Sequence, residues 1–91
     1  MATVQGRIAA IDTEPFPGWA VVEVSLADGG TATIREKLPV LGIESLSVGA
    51  VARLECLIEE RVGQHARVRL QHEVETVDAA SVLLVKGSDV T

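Results

Sequence analysis

Ninety-one residues suffice for one domain with a modest core, near the size at which stability becomes marginal and a partner chain adds useful burial. Eight Lys and Arg against 13 Asp and Glu leave a net charge of −5, which disfavours a general grip on phosphate backbones or anionic membranes. A single cysteine, Cys56, excludes an intramolecular disulfide and a zinc site of the usual kind. The apolar share of 47% is supplied by Val, Ala, Leu and Ile, with one Phe, one Trp and no Tyr. Valine-rich, short alternating runs predict β structure. The opening MATVQGRIAAID lacks the basic and apolar blocks of a secretion signal and no run approaches a membrane span, so cytoplasmic residence is expected.

The first strand is predicted over Val4 to Ile11, with Val4, Ile8 and Ala10 facing a core and Gly6 marking a bulge or a close backbone approach. Asp12 to Gly18, with two prolines and a glycine, is a loop. Phe16 within it is read as a lid over a barrel end, the other reading being an exposed contact. Trp19 to Ala27 forms a second strand with Ala20, Val22, Val24 and Leu26 inward, and Thr31 to Lys37 a third with Ala32 and Ile34 inward. Pairing Leu26 with Ala32 and Val24 with Ile34 leaves a three-residue loop, puts Gly30 at positive φ and sets Glu23 opposite Arg35. Leu38 to Ser47 breaks the alternation and is a connection with one helical turn at Ile43 to Leu46. Its Val40, Leu41, Ile43 and Leu46 are expected to plug a barrel end.

The stretch from Val48 to His72 reads as a long two-stranded arm. Ala52, Leu54, Cys56 and Ile58 alternate with Arg53, Glu55 and Glu59, and Ala66, Val68 and Leu70 alternate with Arg67, Arg69 and Gln71. Matching parity pairs Ile58 with Val68 and Cys56 with Leu70, leaves a loop from Arg61 to His65 and sets Glu59 opposite Arg67. Among these inward residues Cys56 is a buried thiol behaving as a small hydrophobe. After the acidic Glu73, Glu75 and Asp78, the run Ala79 to Val85 fits a strand over Val82 to Val85 that covers a barrel edge or pairs with another molecule. A helix over Asp78 to Lys86 capped by Thr76 is the other reading. The last four residues, Ser88 to Thr91, are expected to fray.

Five strands, a connection after the third, the step Leu46-Ser47-Val48-Gly49 before a long fourth strand, and an opening of Gly6-Arg7-Ile8 with Ile11-Asp12 together resemble the OB-fold. The resemblance implies an all-β, five-stranded antiparallel barrel over residues 1–75 followed by an apolar tail, 76–91, packing on the barrel or on a partner chain. An SH3-like barrel is the alternative. The layout is similar to cold-shock and ribosomal-type RNA-binding barrels and to small hydrogenase-maturation chaperones. Where cold-shock domains carry aromatic residues this chain has Val21, Glu23, Thr31 and Thr33, and where the chaperones carry a functional cysteine it has Ala2.

His65 and His72 are the only histidines; the first falls in a hairpin loop and the second, by parity, continues the inward set of Leu70 near a barrel rim. Glu59 and Glu60 point to opposite faces of a strand and form no dyad. No phosphate-cradling glycine loop or nucleophile elbow is present. The expectation is therefore a non-enzymatic module, without cofactor or metal, that works through a protein partner or self-association. Weak single-stranded nucleic-acid binding is the alternative, since such barrels stack bases on aromatics in a basic groove. Phe16, Trp19, Val21, Thr33, Arg35, Lys37, Leu57, Arg67 and Arg69 are the candidate contact residues.

Overall fold

Alternation of side chains decides which face of each strand is buried, and the six strands follow it except at bulges in the first and fourth. The computed structural model describes residues 2–14, 16, 18–41 and 47–91. The strands are β1 (Ala2–Asp12), β2 (Trp19–Ser25), β3 (Thr31–Lys37), β4 (Val51–Val62), β5 (His65–Leu70) and β6 (Val82–Lys86). All pair antiparallel in the order β3-β2-β1-β4-β5-β6 and curl into a nearly closed barrel. The expected five strands become six because Val82–Lys86 takes up the free edge of β5, pairing Val85 with Ala66 and Leu83 with Val68. Its branched, contiguous residues suit a strand, and the alternative helix over 78–86 does not form.

The core joins Val4 and Ile8 of β1, Ala20, Val22 and Val24 of β2, Ile34 of β3, Leu54 and Cys56 of β4, and Val68, Leu70, Leu83 and Val85 from the far side. Gly6 sits where β2 crosses closest: a Cβ there would lie 2.7 Å from Val22 Cγ1 and 3.1 Å from the Glu23 carbonyl. The close approach is as expected, but the bulge falls at Ala9, between the pairs Ile8–Val22 and Ala10–Val21. It turns Ala10 outward and brings Ile11 against the core in its place.

Two expected registers shift. In β2–β3, Val24 pairs with Ala32 and Val22 with Ile34, so Glu23 faces Thr33 and Val21 faces Arg35. The parity is kept, and the loop lengthens to Leu26–Gly30, where Gly29 rather than Gly30 takes the positive φ of 91°. Leu26 N–H donates to Gly30 O at 2.9 Å, and Asp28 Oδ1 accepts the Gly30 N–H at 2.8 Å, fixing this longer turn. In β4–β5 the pairs Cys56–Leu70 and Ile58–Val68 hold, but a bulge at Glu59 moves Glu60 opposite Arg67 and continues the ladder to Val62–His65. The expected five-residue loop shrinks to Gly63-Gln64, with Gly63 at φ 59° in the first loop position of a type II′ hairpin.

No helix longer than the turns Leu38–Leu41 and Gly87–Asp89 occurs among the described residues. The first starts at Leu38, whose N–H donates to Gly18 O at 3.0 Å, with Pro39 tolerated in its opening turn. The expected turn at Ile43 to Leu46 and the side chains of Val40 and Leu41 lie outside the described residues, whereas Ser47 to Gly49 make a turn into β4, with the Ala50 N–H donating to Ser47 O at 3.1 Å. The carboxy terminus does not fray. Thr3 and Thr91 exchange N–H···O bonds of 2.8 and 3.0 Å, and Val90 is buried beside Val4.

Candidate functional site

The register of the sheet places the candidate residues on two separate surfaces. Odd-numbered residues of β2 and β3 face outward, so Trp19, Val21, Thr33, Arg35 and Lys37 share one patch. Lys37 stands directly across from Trp19 and Arg35 diagonally, which brings the guanidinium carbon 4.3 Å and the Lys37 ammonium 5.9 Å from the indole centroid. The indole therefore carries a guanidinium on its face and is not an open stacking platform. Thr33 is half-buried and its carbonyl accepts the Val77 N–H at 2.8 Å, tying the edge of β3 to the segment that closes the barrel. Phe16 is 96% exposed in the loop before β2, so it is not the expected lid over the barrel end; it touches no core cluster.

Leu57, Arg67 and Arg69 lie on the outer face of the β4–β5 arm. The bulge at Glu59 sends Glu59 and Glu60 to the same face, contrary to simple alternation, and each meets one arginine. Arg67 pairs with Glu60 at 3.0 Å and Arg69 with Glu59 at 2.8 Å, replacing the expected Glu59–Arg67 pair. Beyond Cys56 every β4 side chain is exposed. Leu57 (50% exposed) and Val62 (52%) project outward, Ile58 (38%) on the other face is only partly covered instead of core, and Leu84 (45%) on β6 stands opposite Arg67. Glu60, Val62 and Leu84 were not among the sequence candidates. Parity alone places Leu84 outward, but the bulge that exposes Glu60 leaves no periodic signature.

Arg7 and Arg53 are diagonal neighbours on the outer face of the β1–β4 pair, away from both surfaces. Arg7 lies opposite Glu23 on β1–β2 and Arg53 opposite Gln5 on β1–β4, with acids interleaved. His72 is turned out of the inward set by its φ of 60° and contacts Glu55 through Nε2. His65 sits exposed at the arm tip. No cluster of three or more His, Cys, Asp or Glu exists among the described residues. Cys56 is fully buried, and that burial pushes its thiol pKa up, away from reactivity. Compared with protein-family models, with curated proteins and with solved structures, the chain gives no match.

Proposed function

We propose that the protein is a non-catalytic binding or assembly module on an OB-like barrel, acting through protein–protein contacts made by the β4–β5 arm. The carrying observation is the arm's outer face. Its two arginines are neutralised by Glu59 and Glu60, and around them Leu57, Val62 and Leu84 remain in solvent. Apolar side chains that cluster without covering a core favour an interface, and paired charges between them give it specificity rather than a general attraction for polyanions. The position of β1 between β2 and β4 supports the OB-like over the SH3-like reading, with β6 added between the fifth strand and the closing edge.

Sedimentation velocity over a wide concentration range tests the self-associating form. The full chain is expected to sediment faster as concentration rises, and Leu57→Asp with Val62→Asp to remain a monomer. A strict monomer for both removes self-association and confines the proposal to a different partner chain. Truncation near Glu75 is not a substitute, because it strips Leu83, Val85 and Val90 from the core.

Single-stranded nucleic acid is the second reading, favoured by the patch in which Trp19 is flanked by Arg35 and Lys37. It requires Arg35 to leave the indole so that a base takes its place. Quenching of Trp19 fluorescence by oligonucleotides at low salt supports it; unchanged emission removes it.

A further inference from the structure

The barrel is nearly, but not fully, closed: β3 and β6 are its two edges, and they do not pair with each other. Among the described residues the seam is pinned at two points, where Ala27 N–H donates to Leu84 O at 2.9 Å and Val77 N–H to Thr33 O at 2.8 Å. Between these pins lies a cleft of about 320 Å³. Leu26, Ala32 and Leu83 form its apolar floor, Asp28 and Asp78 stand in its lining, and no Lys or Arg lines it. Asp28 uses Oδ1 to accept the Gly30 N–H, which holds its carboxylate in place, and its Oδ2 has no hydrogen-bond partner among the described residues. Even-numbered residues of β6 and odd-numbered residues of β3 turn their backbone groups toward the seam. Thus Thr31 and Val82 present carbonyls with no backbone partner among the described residues.

We infer that this seam is a binding site for a small amphipathic amine, its hydrocarbon part on Leu26, Ala32 and Leu83 and its ammonium group between Asp28 and Asp78. The complementarity is twofold. An apolar cleft of this size suits a compact hydrocarbon chain. An ammonium with three donors matches two carboxylates and an edge carbonyl, a set that repels a carboxylate of the same length. The cleft shares Leu84 with the apolar surround of the arm's outer face and has no lining residue in common with the Trp19 patch.

Amide NMR titration with hexylammonium, hexanol and hexanoate tests it. Saturable shifts confined to residues 26–32 and 76–84 are expected for hexylammonium, with about tenfold weaker binding of hexanol, a difference of about 1.4 kcal/mol, and none for hexanoate. Asp28→Asn with Asp78→Asn is expected to bring hexylammonium down to the hexanol level without changing hexanol binding. Asn at 28 keeps an oxygen for the Gly30 N–H, and Asp78→Asn alone, expected to give part of the loss, covers a failure of the double variant to fold. Equal binding of hexylammonium and hexanol, an undiminished preference in a folded variant, or no saturable shift in the seam overturns the inference.

Discussion

The β2–β3 hairpin and the β4–β5 arm are built from the same alternation, yet one is buried along its length and the other outgrows the core. In β2–β3 every second residue from Ala20 to Val24 is buried, and the loop is tied back to β6 through Ala27. In the arm the last buried β4 residue is Cys56, and the ladder runs six residues further, to Val62. The molecule is elongated, 42 × 24 × 23 Å. A strand can thus be held by burial, or by ladder bonds, a tight turn and surface ion pairs; only the second leaves apolar side chains to meet another molecule.

The largest expected difference between the two is in the cost of truncation. Ile34→Ala and Leu54→Ala remove fully or almost fully buried side chains and are expected to lower unfolding free energy by about 2 to 5 kcal/mol. Ile58→Ala, at a partly exposed site, is expected to cost about 1 kcal/mol or less. Urea denaturation measures both; an equal loss at Ile58 would show the arm to be covered in solution. Gly6→Val, which drives a side chain into Val22 and the β2 backbone, is expected to cost about 1 to 3 kcal/mol in the same measurement.

The turn of the buried hairpin gives a smaller effect. Gly29→Ala puts a Cβ at φ 91° and should cost about 1 to 2 kcal/mol, although the space around it is open. Gly30→Ala asks only that the Asp28 side chain yield, since its Cβ would lie 3.0 Å from Oδ1, and should cost less. The reverse order of melting temperatures would restore the three-residue loop that parity first suggested.

That loop marks where the sequence stops being legible. Alternation identifies most of the inward residues of five strands, including Val22, Val24, Leu54 and Val68 but not the outcome at Ala10 and Ile58, and it finds Ile58–Val68 because that pair continues the ladder from the buried Cys56–Leu70 pair. It constrains register only to within two residues, however, so Val24–Ala32 and Leu26–Ala32 are equally allowed by parity. The choice lies in contacts between residues distant along the chain, such as Arg35 and Lys37 against Trp19 and the bond from Ala27 to Leu84. The bulges at Ala9 and Glu59 are invisible for the same reason. The sixth strand was ambiguous as a local pattern, and the open edge of β5 decides it. Of the candidate residues, the sequence named members of both surfaces but not their separation, which depends on β1 lying between the two hairpins.

The finest comparison is between the charged contacts on the two surfaces. Glu59–Arg69 and Glu60–Arg67 join side chains that are a third to a half exposed, so each double-mutant cycle should give a coupling of about 0 to 1 kcal/mol. Half a mole per litre of salt should erase most of it, because ionic screening acts directly on exposed charges. Arg35 over Trp19 should give a similar coupling, about 0.5 to 1 kcal/mol, but retain more of it in salt, since part of that contact is dispersion and burial of the guanidinium plane against the ring. Cycles on Glu59/Arg69 and Trp19/Arg35 at low and high salt read this directly. If the arm coupling persists in salt while the Trp19 coupling disappears, the arm arginines are shielded from solvent, and the arm's outer face is already occupied in solution by another chain.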